Sequence, residues 1–271
     1  MKIVQQAYLF LPYCGAPPTP DTLLGRWNLD PVLLGCLAAI LAGYILGRRA
    51  PAKPQRPWRR LAFGLGWALG TLALVSPLCP LSVALFSARV GQHMVLVALV
   101  APLIALGRPD AVVSGWLGRT GVARQPRPVA AAAALAGALW LWHAPAFYTA
   151  TFQSDLTYWA MHLTTFGAAL WFWTELLGSS DGRLGGFALA TVMTTGQMGL
   201  LGALITFAVE PLYPPHASTT YAWGLTPLQD QQLGGVLMWI PAGVIFAGGL
   251  ALAFSQMLQR PDARSPAQAS A

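Results

Sequence analysis

The chain has four histidines, and two of them, His93 and His162, lie inside long apolar stretches. A polar side chain in such a setting is costly unless it has a partner. Imidazole suits copper, zinc and iron, while thioether sulfur favours Cu(I). Methionines stand next to both histidines, at Met94 and Met161. These residue types predict a metal site, with a structural hydrogen bond between helices as the alternative interpretation.

Three more residues are candidates for the site, and each has a competing interpretation. His143, in "LWLWHAP", is either a ligand or part of an aromatic belt at the membrane interface. His216 lies in a proline-rich loop and is predicted to be an ordinary surface residue. Cys79, in "SPLCPL", is a soft ligand, a disulfide partner of Cys14 or an unpaired thiol. The predicted metal ligands are His93, His143, His162, Met94 and Cys79.

Charged and amide side chains stand near these positions. Arg89 precedes His93 by one helical turn in an apolar run, where a charge costs on the order of 3 kcal/mol or more. Arg89 is therefore expected to pair with Asp230 or a lipid phosphate, or to reach outward. Asp230 is expected to cap the last apolar helix or to orient a histidine. The polar residues predicted to support the site are Arg89, Gln92, Gln197, Asp230 and His216.

The composition is that of a membrane protein. Hydrophobic residues make up 55% of the 271-residue chain and charged residues only 9%, against about 25% charged residues in soluble domains. The net charge of +7 does not indicate nucleic acid, because the positive residues cluster between apolar runs and so report membrane topology. The phosphate-loop, zinc-protease and nucleophile-elbow motifs are missing from the sequence, so no enzyme activity is predicted.

Seven apolar segments predict an all-α membrane domain, because backbone groups in lipid must be satisfied within each helix. Each segment approaches the roughly 20 residues that a span requires. The predicted domain covers 31–256, between an extramembrane N-terminal segment, 1–30, and a disordered cytoplasmic tail, 257–271. The predicted transmembrane helices are 31–47, 61–77, 82–106, 129–143, 157–177, 184–208 and 232–256.

The distribution of basic residues predicts the orientation of these helices. Most of the 16 lysines and arginines fall in alternate connections and in the tail, which places the N-terminus outside and the C-terminus in the cytoplasm. All four histidines then lie in the outer half of the membrane or outside it. Counted from the predicted helix starts, His93 is roughly 16 Å deep and His162 about one turn deep.

Three blocks of sequence resemble the membrane-embedded CtaG family of cytochrome c oxidase assembly factors, over roughly residues 60–256. They are "FSARVGQHMVLVALVAPLIALGRP", "LWLWHAPAFYTATFQSDLTYWAMHL" and the stretch from "PLYPPH" through "WGLTPLQDQQLGG" to "MWIP". The last block is the most specific, since its four short motifs arrive in order. The family's histidines fall on His93, His143 and His162. Arg89 departs from the family pattern, in which a second histidine stands four residues before the first.

The resemblance implies a multi-pass protein of the bacterial cytoplasmic membrane that is needed to assemble a terminal oxidase. It also implies that the protein helps copper to reach the oxidase on the periplasmic side. The implied partners are oxidase subunits or other assembly factors, besides membrane lipid. Nucleic acid and haem are not expected.

Two other classes of protein remain open from the residues alone. A b-type cytochrome would use two histidines at matched depth on facing helices, and His93 with His162 is the obvious pair. Their predicted depths differ by about one and a half turns, which disfavours this class. A small transporter or channel would be lined by Arg89, Gln197 and the histidines.

Overall fold

A computed structural model describes residues 11–47, 56–109, 112, 125, 127–178 and 184–258. Every regular element among these residues is helical, so the all-α prediction is confirmed for the described part of the chain. The helices are α1 (Pro31–Gly47), α2 (Pro57–Val75), α3 (Leu78–Ala84), α4 (Phe86–Met94), a π-helical stretch (Val95–Val100), α5 (Ala101–Leu106), α6 (Pro128–His143), α7 (Pro145–Ala150), α8 (Asp155–Gly178), α9 (Leu184–Thr206) and α10 (Pro227–Leu258).

Six of the seven predicted apolar segments each coincide with a single helix, and prolines mark several of the helix starts. Pro57 and Pro128 open α2 and α6, where a missing N–H costs nothing and the fixed φ suits the helix. The third segment differs from the prediction. It is broken at Leu85, whose extended backbone separates α3 from α4, and α3 is bent from α2 by 47°.

Two helical stretches among the described residues could span a membrane. Phe86–Leu106 and Gly185–Thr206 are long and apolar enough to cross a bilayer, and the bent pair α2–α3 would make a third span. Pro31–Gly47 and Pro128–His143 are apolar but shorter. The count of seven spans stays a prediction. Most of the basic residues that predict the orientation lie outside the described residues, as does the tail from 259 onward.

The pairing of α9 with α10 is close because glycines remove side chains at the crossing. A Cβ on Gly202 would lie 2.7 Å from the Cβ of Trp239, and a Cβ on Gly235 would lie 2.8 Å from the carbonyl oxygen of Gly202. Gly234 leaves room in the same way for the ring of Phe86, at the start of α4. Small residues permit such approach in helical membrane proteins. The result is that α10 packs against both α9 and α4.

The N-terminal segment is attached to the helices by one covalent bond and several non-covalent contacts. Cys14 forms a disulfide with Cys79 of α3. Tyr13 stacks on Tyr158 of α8, with ring centroids 4.8 Å apart. The indole N–H of Trp223 donates to the carbonyl of Pro18 at 3.2 Å. Residues 11–30 therefore lie against the ends of α3 and α8.

Candidate metal site

The start of α4 is fixed by a carboxylate from another helix. Asp230 of α10 is fully buried, and its two oxygens accept hydrogen bonds from the backbone N–H groups of Phe86 at 2.6 Å and Ser87 at 3.1 Å. Thr226 and Gln229 cap α10 itself by reciprocal hydrogen bonds. Asp230 is thus free to cap α4, whereas the sequence predicted that it would cap its own helix, α10.

His93 and His162 meet, and the predicted difference in their depths is wrong. Their ring centroids are 5.2 Å apart, in an edge-to-face arrangement. His93 stands seven residues after Phe86, where α4 begins, and His162 stands seven residues after Asp155, where α8 begins. The prediction failed because it counted α3 as part of the helix that carries His93.

Two histidines are oriented by carbonyls one turn earlier in their own helices. Nδ1 of His143 lies 2.7 Å from the carbonyl oxygen of Leu139, and Nδ1 of His162 lies 3.1 Å from that of Tyr158. A carbonyl only accepts, so Nδ1 carries the proton and Nε2 keeps its lone pair. Histidines that bind metals are held in the same way. Nε2 of His162 and Nε2 of His93 are both buried and have no hydrogen-bond partner.

A small cavity gathers two histidines and three methionines. It has room for about one water-sized group. Its histidines and methionines come from α4, α6, α9 and α10, and apolar side chains complete the lining. The lining residues are His93, Met94, His143, Met198 and Met238, with Val90, Val97 and Leu139. Four separate helices therefore bring residues with soft and borderline donor atoms around one small space.

Met198 and Met238 are the residues that sequence reasoning did not place in the site. Both are almost completely buried, with 1% of their surface exposed. Methionine is a common filler of apolar cores, and the sequence does not show which face of a helix points to a neighbour. Met94, a predicted ligand, stands next to His93, and adjacent residues point about 100° apart on a helix. Both nevertheless line the cavity, since it lies between their two directions.

The structure separates Cys79 from the cavity and assigns it to the predicted disulfide alternative. Its sulfur is bonded to that of Cys14, and Cys79 is fully buried. A disulfide sulfur lacks the thiolate charge that binds metals. Among the described residues, no group of three or more histidine, cysteine, aspartate or glutamate side chains is placed to hold a metal. Ligation in the cavity therefore depends on the methionines.

Arg89 is buried, and it does not pair with Asp230, one of the partners predicted for its charge. Only 2% of its surface is exposed. Its guanidinium donates to the hydroxyl of Thr151 at 2.7 Å and to the sulfur of Met161 at 3.7 Å, and it lies 4.4 Å from the ring centroid of Phe152. No carboxylate among the described residues lies within ion-pair distance of it. Aromatic rings and a hydroxyl contact the guanidinium in place of the expected carboxylate.

His216 is also buried, contrary to the predicted surface position. Its exposed fraction is 1%, and its Nε2 lies 2.6 Å from the hydroxyl of Tyr148. Burial, together with the repulsion of the protonated ring by the charge of Arg89, lowers the pKa of His216 to about 3. The short loop helix Pro214–His216 folds this side chain inward. His216 does not line the cavity.

The two glutamines support helix packing rather than the cavity. Gln92 is buried, and its side-chain N–H donates to the carbonyl of Ala73 in α2 at 2.7 Å. Gln197 accepts a hydrogen bond from the indole of Trp140 at 3.1 Å. Gln92 therefore helps to hold α4, which carries His93, against α2.

Every regular element among the described residues is helical, and two buried histidines and three methionines line one cavity. A sequence model of the cytochrome c oxidase caa3 assembly factor family matches residues 38–260. The chain belongs to this family. No curated protein and no solved structure gave a match.

Proposed function

We propose that this chain is a non-enzymatic, multi-pass protein of the bacterial cytoplasmic membrane that binds Cu(I) and passes it to a terminal oxidase during assembly. The role of the family in assembling caa3 oxidase supports an oxidase as the destination. The observation that carries the copper part of the proposal is the cavity where two histidines meet three methionines.

The chemistry of this cavity suits Cu(I) better than divalent ions. Its candidate ligands, the imidazoles and thioethers, are all neutral, and thioether sulfur selects Cu(I). A doubly charged ion in such a buried place would lack compensating carboxylates or thiolates and would be costly to desolvate. The buried cation of Arg89 adds to that cost. A single positive charge is the most that the site is suited to hold.

His162 gives the bound ion a neighbouring position to move to. Its Nε2 is buried, unpartnered and on a ring in contact with that of His93. We therefore assign His93, Met94, His143, Met198 and Met238 to binding, and His162 to the path of transfer.

The periplasmic side is the proposed side of delivery. His93 and His162 lie close to the starts of α4 and α8, near the N-terminal segment. The positive-inside rule places that end of the helices outside the cytoplasm. The same side holds a disulfide, and disulfides persist in oxidising compartments such as the periplasm.

The two alternative classes are less well supported by the geometry. The rings of His93 and His162 are in direct edge contact at 5.2 Å, which leaves no space for an iron porphyrin between them. The cavity holds only about one water-sized group and offers no continuous path for a transported solute.

Deletion of the gene, followed by complementation, tests the proposed function. Wild-type protein should restore both the activity and the copper content of the purified oxidase, and the His93→Ala variant should restore neither. The Gln197→Ala variant is the matched control, since it alters a polar helix residue outside the cavity. A deletion strain whose oxidase keeps its full copper content would contradict the proposal, as would a haem absorption band in the purified protein.

A further inference from the structure

The disulfide between Cys14 and Cys79 lies within reach of the histidines. Both sulfurs contact the hydroxyl of Tyr158, at 3.3 Å and 3.9 Å. The ring of Tyr158 lies 4.3 Å from that of His162, which in turn contacts His93. One tyrosine ring therefore separates the cysteine pair from the candidate path of the metal.

Opening the disulfide would leave the two cysteines facing each other, because other contacts hold the N-terminal segment. Tyr13 stacks on Tyr158 and lies edge-to-face with Trp159, and its hydroxyl donates to Asp30. Asn28 donates its backbone N–H to the carbonyl of Val75 at 2.9 Å. The Cα atoms of the two cysteines are 5.5 Å apart. Reduction thus converts a closed bond into two adjacent buried thiols.

One buried cation near this pair favours a negative charge on its sulfurs. Both cysteines pack in one apolar cluster with Met161, and the sulfur of Met161 accepts a hydrogen bond from Arg89. The guanidinium of Arg89 also lies 5.7 Å from the ring centroid of Tyr158. Since no carboxylate among the described residues neutralises Arg89, an uncompensated buried positive charge lies on the far side of Tyr158 and Met161 from the cysteine pair. Cations close to cysteine stabilise the thiolate form.

We propose that the reduced Cys14–Cys79 pair is a second Cu(I) site, next to the histidine–methionine cavity, with Arg89 as its counter-charge. The choice of metal rests on the proposed function. A dithiol reductant, itself oxidised to a disulfide, delivers two electrons and two protons and produces two thiols. Binding of a Cu(I) ion then releases those two protons and leaves a bis-thiolate complex with a net charge of minus one. The charge of Arg89 balances it.

The test compares copper binding by the two redox states of the same folded protein. Full-length Cys36→Ser protein is placed in lipid nanodiscs, so that Cys14 and Cys79 are its only cysteines. One half is reduced with a dithiol that is then removed, and both halves are titrated anaerobically with Cu(I) against a chromophoric chelator. The reduced protein should bind an additional equivalent of Cu(I) and show the ultraviolet absorption of a copper–thiolate bond.

Variants separate this site from the cavity. The double variant with Cys14→Ser and Cys79→Ser should lose the Cu(I) ion that binds only after reduction and keep the ion in the cavity. His93→Ala should lose the ion in the cavity and keep the ion that binds after reduction. Arg89→Gln should lower the affinity of the reduced cysteine pair for Cu(I) about tenfold, as expected for the loss of one charge in a partly polar interior. Arg89→Lys should keep most of that affinity.

Three results would overturn the inference. They are a disulfide that cannot be reduced in the folded protein, equal copper binding in the two redox states, and additional copper that persists without the cysteines. If the oxidised protein binds no copper while the reduced protein binds one ion, the inference stands and the cavity proposal fails.

Discussion

His93 holds its imidazole where residues of four other helices converge. It contacts the ring of His162 from α8 and shares the cavity with His143 of α6, Met198 of α9 and Met238 of α10. Its Nε2 is buried without a partner, and an unsatisfied buried acceptor or donor costs about 1–3 kcal/mol. A bound ion would remove that cost, which is why His93 is the residue on which the site depends most.

His216 makes stability depend on pH. The folded protein keeps this buried side chain neutral down to about pH 3, whereas the unfolded chain protonates it near pH 6.5. Its contribution is therefore complete above about pH 6.5 and is lost as the pH falls toward 3, at up to about 1.4 kcal/mol per pH unit. We expect the free energy of unfolding in mixed micelles to fall less steeply for His216→Asn than for wild type.

Tyr148→Phe is the control for this pH dependence. It removes the hydrogen bond to His216 but keeps the buried imidazole, so it should lower stability while leaving the pH slope close to that of wild type. The other histidines are the same in all three proteins, so their contribution cancels from the comparison. Identical slopes for wild type and His216→Asn between about pH 7 and pH 5 would show that His216 is not held neutral.

At the scale of elements, α4 is a short helix whose position is imposed from outside. Asp230 fixes its first turn, Gln92 ties it to α2, and Gly234 admits the ring of Phe86. Its last residue, Met94, passes directly into the π-helical stretch Val95–Val100. Such π-helical turns are frequent at functional sites, and this one follows immediately after His93 and Met94.

Removing the carboxylate of Asp230 should affect both stability and copper binding. Asp230→Ala leaves the first N–H groups of α4 without an acceptor, at a cost of about 1–2 kcal/mol, and it frees α4 to shift away from the cavity. Chemical unfolding and Cu(I) titration of the purified variant measure the two effects. Gln229→Ala, which removes a cap of α10 only, should lower stability slightly and leave the affinity for copper unchanged. Equal affinities in the two variants would contradict the role given to Asp230.

The sequence predicts the positions of helices well, but it predicts poorly which side chains from different helices contact one another. Long apolar runs place α1 and α6 almost to the residue, because backbone groups in lipid force helical structure. The break at Leu85 depends on Asp230, which is far away in the chain, so the depth of His93 could not be counted correctly. Met198 and Met238 line the cavity because of how their helices are rotated relative to their neighbours. No local sequence pattern encodes that rotation.

For the whole molecule, the orientation in the membrane is the feature that most affects the proposed function. Single cysteines in place of Arg56 and Gln153, both exposed, are introduced into the Cys36→Ser protein. A maleimide that cannot cross membranes should label Gln153→Cys in intact cells and should label Arg56→Cys only after lysis. Labelling of both positions from the same side would refute the predicted topology, because an odd number of spans would no longer separate them.

Copper bound in the cavity is the central claim, and X-ray absorption on the purified, oxidised protein tests it most directly. We predict a single Cu(I) ion per chain with both nitrogen and sulfur ligands, the sulfur coming from methionine because Cys14 and Cys79 are then joined. His93→Ala and Met238→Leu should each lose either the bound copper or its sulfur ligands in the absorption spectrum. Gln197→Ala should keep both the copper and its sulfur ligands. A protein without copper, or with copper that is unchanged in the first two variants, would contradict the account.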